Sequence, residues 1–430
     1  MSARSAPTGP IPLTCSATRT DSVTGKYADS RRNPVRVSAR LVPAASDKYV
    51  KELDGIRAVA VGLVVAAHYQ LLGPFHALVP GGFGVTLFFF LSGYLITTLF
   101  YSEYRYAGQI SIPRFYSRRW LRLTPPLVIS VILGVVFFPI TRTFVGGSPV
   151  PTGTTMAALF YYTNYYDLAW GLNPFKVIPF GICWSLAVEE HFYLLWPWTL
   201  RGIIHRPRRP FFIIVGLCAS VLVWRFVARE VLHVSENYTY FATDCRIDSI
   251  LYGALLRVLF ETEWADAAIR IMRTRLCQAI AALALLSTFV IRNELFRTTL
   301  RFSLEGLALM PFFTAVLTED AHTFLRQSLA SPPMVLIGKL SYSIYLFHLL
   351  AGTPGEVYFG STHPMLAKAS GLILTGLVSY GLYIFMERPI ARIRRRLRTP
   401  ERRVASSPTG FEELTGSAVI ALRREPTTGG

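Results

Sequence analysis

The chain has 430 residues, 52% hydrophobic and only 16% charged, with 29 Phe, 21 Tyr and 7 Trp and a mean hydropathy of +0.38. Soluble domains carry roughly 25% charged residues, so a string of soluble domains is excluded and a lipid-facing protein with interfacial aromatic belts is expected. The formal charge of +18 would suit a nucleic-acid binder, but its distribution along the chain assigns it to membrane topology instead, and no nucleic-acid partner is expected.

Residues 1–50 are rich in Ser, Arg, Thr and Pro and contain no apolar run. Lacking the h-region of a cleavable signal peptide, they read as a disordered basic cytoplasmic arm. Apolar runs of about 17 to 25 residues then follow at 53–73, 83–101, 124–141, 183–200, 210–228, 239–258, 276–292, 303–318, 334–352 and 366–386. The expected fold is an all-α integral membrane bundle of about ten transmembrane helices with both termini cytoplasmic. The stretch 154–170, with Phe160, Tyr161, Tyr162, Tyr165 and Tyr166, is placed in an outer loop that re-enters the membrane or forms an eleventh span.

Charge tests the count. The loops 102–123, 201–209, 259–275 (taken with Arg257) and 319–333 hold five, four, four and one Lys or Arg. The loops 142–182, 229–238, 292–302 and 353–365 hold two, one, three and none. Basic loops mark the cytoplasmic side, and ten spans put both basic termini with them. The transmembrane domain is thus 51–390 in the cytoplasmic (plasma) membrane. Residues 391–430 form a basic, then disordered, cytoplasmic tail whose Arg392–Arg398 cluster is expected on anionic lipid headgroups. The five cysteines, at 15, 183, 218, 245 and 277, show no CxxC pair and no metal spacing with His; buried small residues and no metal are expected.

Ionisable residues inside spans are costly and point to function by default. Arg57 and His68 share the first span, about 16 Å apart along its axis. Glu189 and Glu190 lie in the outer half of the fourth, Asp244, Arg246 and Asp248 near the outer end of the sixth, and His348 in the outer half of the ninth. These groups are expected to converge on one layer. Each also has a structural alternative: cross-helix hydrogen bonds for His68, pairing of the glutamates with Arg246, and a polar helix end for His348. Ser92 lacks a Gly-x-Ser-x-Gly surround, and helix packing is its expected role. Arg118, Arg119 and Arg122 could grip phosphates with forked guanidiniums, or merely satisfy topology.

Taken together the motifs resemble acyltransferase family 3, the bacterial-type integral membrane acyltransferases. They are Leu53-Asp54-Gly55-Ile56-Arg57 with Arg-x10-His to His68, Gly84-Val85 through Leu91-Ser92-Gly93-Tyr94, and Arg118-Arg119-x-x-Arg122. Further on come Trp184-Ser185-Leu186-x-Val188-Glu189-Glu190-x-Phe192-Tyr193, Asp244-x-Arg246-x-Asp248, Ser341 to Leu346 with His348, and Glu387-Arg388-Pro389. They run in family order over 53–390; one departure is His191, where Gln is common. The resemblance implies transfer of an acyl group from acyl-CoA, a donor substrate expected to be acetyl-CoA, to an acceptor such as a sugar hydroxyl. It also implies His68 as the catalytic histidine and the three arginines near the CoA phosphates. Family members often carry a fused extracytoplasmic hydrolase-like domain. No such domain is expected after the last span here, so the chain would act alone or with a separate extracytoplasmic partner protein.

The mechanism expected on this basis has neutral His68 as general base toward the acceptor hydroxyl. Glu189 would orient its ring, and an acyl-His intermediate is the competing route. The expected acceptor is an extracellular polysaccharide or cell-wall glycan; a lipid-linked sugar or a secreted small molecule such as a glycosylated macrolide is the alternative. A transporter of acylated or acidic molecules would use the same residues as a relay, but no internal repeat is found. A sensor or scaffold would need no titratable histidine aligned with carboxylates.

Overall fold

The computed structural model describes residues 49–396 apart from 72, 74–80, 146–151, 173–179, 207, 319–323 and 361. Most of the predicted arm (1–48) and of the tail (397–430), Cys15 and the expected cytoplasmic termini lie outside the described residues. Among these residues every regular element is helical. The helices are α1 (Lys51–His68), α2 (Gly81–Ala107), α3 (Ile112–Val145), α4 (Thr152–Leu159), α5 (Thr163–Ala169) and α6 (Cys183–Ile203). They continue with α7 (Arg209–Phe226), α8 (Glu236–Phe241), α9 (Thr243–Leu259), α10 (Ala265–Met272), α11 (Arg275–Val290) and α12 (Glu294–Thr298). Last come α13 (Leu300–Thr318), α14 (Phe324–Leu329), α15 (Pro332–Phe359), α16 (Pro364–Leu382) and α17 (Arg388–Arg396). Two π-helical segments, Val227–Val231 and Tyr383–Glu387, prolong α7 and α16.

Among the described residues, six helices are long and apolar enough to cross a membrane: Gly81–Ala107, Ile112–Phe137, Arg209–Val231, Leu300–Thr318, Pro332–Phe359 and Pro364–Arg394. Each of the ten predicted spans contains a helix, but length and hydropathy alone qualify six of these helices as candidate crossings. The reason is local. Helices α1 and α6 carry ionisable residues within the predicted spans, while α9 and α11 have only seventeen and sixteen residues. The 154–170 stretch resolves into α4 and α5, of eight and seven residues, each too short to span about 30 Å at 1.5 Å per residue.

The bundle is apolar on its surface as well as in its core. Along α11, Leu276 and Leu283 are 71% and 65% exposed on one helical face, as lipid contact requires. The largest fully buried side chains include Arg225, Arg246 and Arg257. A buried charge is tolerated only when paired, and Arg225 grips Asp248 with two parallel bonds of 2.9 and 2.8 Å, tying α7 to α9. Ser303 of α13 completes the knot by donating to Asp248 at 2.9 Å.

Helix α1 packs between α2 and α15, and α2 packs along α9. Small residues set how close these axes come. A Cβ on Gly93 would run into the Ile250 carbonyl of α9, and one on Gly253 into the Phe90 carbonyl of α2. Gly338 of α15 meets the Asp54 backbone of α1 in the same way. These approaches fix the register of α1, α2, α9 and α15, which carry most of the polar groups described next. Cys183, Cys218 and Cys245 are buried and Cys277 partly so; all four are free.

Candidate active site

A cavity of about 1220 Å³ opens among α1, α2, α3, α6, α15 and α17. Its mouth is basic. Arg57, Arg118, Arg119 and Arg122 line it, joined by Lys339 and by Arg388. Arg57 is held by Asp54 at 3.0 Å and Arg118 by Glu103 at 3.4 Å. Arg119 lies over the Tyr193 ring, 4.0 Å from its centroid, which fixes the guanidinium without neutralising it. Arg57, Arg119 and Arg394 all act electrostatically on Arg122, and Glu387 and Glu189 are the acids that feel its charge.

Deeper in, Ser92 donates to Glu189 at 2.8 Å and Tyr193 donates to the same carboxylate at 3.1 Å. Helices α2 and α6 are thereby tied across one wall. The inner end is formed by Val85, Phe88, Ser185 and Tyr345. There the Tyr345 hydroxyl donates to the Ile182 carbonyl at 3.0 Å and meets Ser185 Oγ at 2.7 Å.

Behind Tyr345 stand two histidines. The Tyr345 and His348 rings are 6.0 Å apart, and His348 Nε2 lies 3.0 Å from His68 Nδ1. His348 is fully buried, whereas His68, the last residue of α1, is exposed at the end of the bundle opposite the arginines. His348 Nδ1 faces only carbonyl oxygens, Tyr345 at 2.7 Å and Ile344 at 3.2 Å. A carbonyl can only accept, so Nδ1 carries the proton and Nε2 of the neutral ring accepts. With both rings neutral, His68 then donates from Nδ1 and its Nε2 keeps the lone pair. Tyr69 locks this end by donating to the His348 carbonyl at 2.7 Å.

The profile of the acyltransferase domain matches residues 50–384. The chain belongs to this acyltransferase family. Among curated relatives, the O-acetyltransferase OatA of Staphylococcus aureus strain NCTC 8325 is 29% identical over 369 residues, covering 82% of this chain and 59% of its own. The peptidoglycan O-acetyltransferase OatA of Listeria monocytogenes is 28% identical over 370 residues, 81% of this chain and 56% of its own. The chain thus spans under three fifths of the length of these relatives. No solved structure matches it significantly. With its apolar helices, the family places the chain as a multi-pass plasma-membrane protein.

Within this member of the family, the residues singled out by sequence do not all come together. Arg57, Arg118, Arg119, Arg122 and Glu189 line one cavity, and His68 pairs with His348 beyond its inner end. Asp244 and Asp248 lie about one turn apart on α9 and Arg246 on its opposite side, so the three meet different neighbours. Asp248 is consumed by Arg225. Asp244 accepts from Tyr165 at 2.7 Å, Trp224 at 2.5 Å and Tyr238 at 3.0 Å at an exposed rim. Arg246 reaches Thr86 at 3.3 Å and lies over the Phe302 ring, with the Arg301–Glu305 pair on the other side of Thr86. Glu190 does not line the cavity, and its buried Oε1 has no hydrogen-bond partner.

The expected Glu189–His68 contact is also replaced. Glu189 bonds to Ser92 and Tyr193, and the side chain bonded to His68 is His348. His191, the departure from the family pattern, bonds to Thr243 at 2.7 Å and stacks on Tyr165. Sequence reasoning missed Arg225, Glu305 and the Ser185–Tyr345 bridge as partners. Arg225 and Glu305 sit in apolar runs and could have been found by the criterion that exposed His68. Among the described residues, no three His, Cys, Asp or Glu side chains gather as a metal site.

Proposed function

We propose that the chain is a membrane O-acyltransferase carrying an acyl group, acetyl first, from cytoplasmic acyl-CoA to a hydroxyl of an extracytoplasmic glycan or other glycosylated acceptor. The observation that carries this reading is the His68–His348 pair standing beyond the inner end of an arginine-mouthed cavity. The CoA phosphates dock among Arg119, Arg122 and their neighbours, and the pantetheine arm runs inward past Ser92 and Glu189. The arm has to cover about 16 Å, the rise from Arg57 to His68 on one helix. The names of the relatives, O-acetyltransferase and peptidoglycan O-acetyltransferase, support acetyl and a glycan as first choices.

His68 Nε2 takes the proton of the acceptor hydroxyl as a general base. The oxygen attacks the thioester carbonyl carbon, the carbon–sulfur bond breaks, and the departing thiolate recovers the proton from Nε2. While the imidazolium exists, its Nδ1–H bond to His348 Nε2 is charge-assisted and stronger. His348 acts as a positioning residue, its own proton anchored by two carbonyls. Glu189 holds the cavity wall together through Ser92 and Tyr193.

The test uses the full chain in detergent. Acetyl-CoA binding and thioester loss are measured for wild type, His68→Ala and Arg119→Ala/Arg122→Ala. The arginine variant is expected to lose binding, while His68→Ala binds normally and turns over about 10²- to 10⁴-fold more slowly. A wild-type protein that neither binds nor consumes any acyl-CoA from acetyl to long chain would sink the donor assignment.

A further inference from the structure

The basic C-terminal helix does not stand apart from the cavity. Arg388, Arg392 and Arg394 of α17 line the same cavity mouth as the α3 arginines, and Lys339 of α15 faces it as well. Arg388 and Arg392 are four residues apart and share one helical face. Helix α17 packs directly on α3, so two separate arginine clusters flank one opening.

The charge there is far from balanced. Against the arginines the lining offers Asp54, Glu103, Glu189 and Glu387. Asp54 and Glu103 are engaged by Arg57 and Arg118, Glu189 lies in the inner wall, and Glu387 accepts from Ser343 at 2.5 Å. Like charges crowded at a partly desolvated mouth repel one another unless an anion joins them. Two clusters on two helices suit a ligand with two separated phosphate groups better than a single phosphate.

We infer that α17 forms a second phosphate subsite, in which Arg388 and Arg392, with Lys339, bind the 3′-phosphate of the CoA nucleotide while the α3 arginines take the pyrophosphate. This rests on the acyl-CoA reading above and adds a selectivity to it: the protein should distinguish CoA from 3′-dephospho-CoA. A phosphate monoester could also come from a lipid headgroup. The same guanidiniums would then serve the bilayer, and the experiment separates the two sources.

Full-length wild type and Arg388→Gln/Arg392→Gln are placed in lipid nanodiscs, one set zwitterionic and one containing anionic phospholipid. Kd for CoA and for 3′-dephospho-CoA is measured in each. Wild type is expected to prefer CoA by about tenfold or more, the size of a charge-assisted contact. The double variant is expected to bind both with the affinity wild type has for dephospho-CoA. Its retained dephospho-CoA binding reports that it is folded. A variant that keeps the preference for CoA overturns the inference; if it has instead lost a dependence on anionic lipid, α17 serves the membrane. Equal binding of both ligands by wild type overturns the subsite and leaves the donor reading intact. Binding of neither by wild type overturns the donor reading and the subsite with it.

Discussion

His348 Nε2 and His68 Nδ1 lie 3.0 Å apart although 280 residues separate them, and this contact determines which nitrogen of His68 faces outward. Because His348 Nδ1 is spent on two carbonyls, only one proton arrangement satisfies both rings while they are neutral.

His348→Ala removes the acceptor from His68 Nδ1 and frees the ring to adopt the other tautomer. A fall of about 100-fold in kcat is expected, within the range of general acid–base contributions, with KM for acyl-CoA little changed. His348→Gln, whose amide oxygen can accept from Nδ1, should recover part of the loss. Steady-state kinetics on the three proteins decides the point; a loss shared equally by the Ala and Gln variants would show that His348 does not act through that bond.

Glu189 holds Ser92 and Tyr193 across the cavity wall rather than touching His68. Glu189→Gln keeps an acceptor oxygen there, so kcat should fall by less than about tenfold while KM for the donor rises. The expected split follows from loss of binding geometry rather than of a reacting group. A kcat loss as large as that of His68→Ala, with KM unmoved, would return Glu189 to the chemistry.

The Arg225–Asp248 pair is buried on both sides and shared with Ser303. Breaking it from one side leaves an uncompensated charge, at a cost of about 3–5 kcal/mol. Arg225→Ala and Asp248→Ala should therefore each lower thermal stability sharply, and Arg225→Met/Asp248→Leu should recover most of it. Thermal unfolding in detergent measures this. An Asp248→Ala protein of normal stability but no activity would place Asp248 in the reaction after all.

Asp167 of the short helix α5 is fully buried and neither carboxylate oxygen has a hydrogen-bond partner. Burial pushes its carboxyl up to about 7 from an ordinary 3.8. The folded state thus holds a proton that the unfolded chain gives up, and stability contributed by this group falls as pH rises from about 4 to about 7. Asp167→Asn, which mimics the protonated form, should melt a few degrees above wild type at pH 8. The difference should shrink as pH is lowered toward 4. A pH-independent difference would mean that packing, not protonation, is responsible.

Several things were settled by the sequence alone. An imidazole, carboxylates and a guanidinium stand in runs otherwise fit for lipid, and the cost of desolvating them marks each position whatever the fold around it. The Arg57-to-His68 spacing is equally local: a helix rises by a fixed amount per residue, so the arginine and histidine ends of α1 follow from counting. Partnership was not legible. Which helix lies beside which depends on contacts such as Gly93 on Ile250 and Gly338 on Asp54, set by the close approach of helices far apart in sequence. Those contacts send Asp248 to Arg225, bring Tyr345 to Ser185, give His348 rather than Glu189 to His68, and carry α17 to the cavity mouth. A helix fixes where its own side chains point, but only packing decides what each one meets.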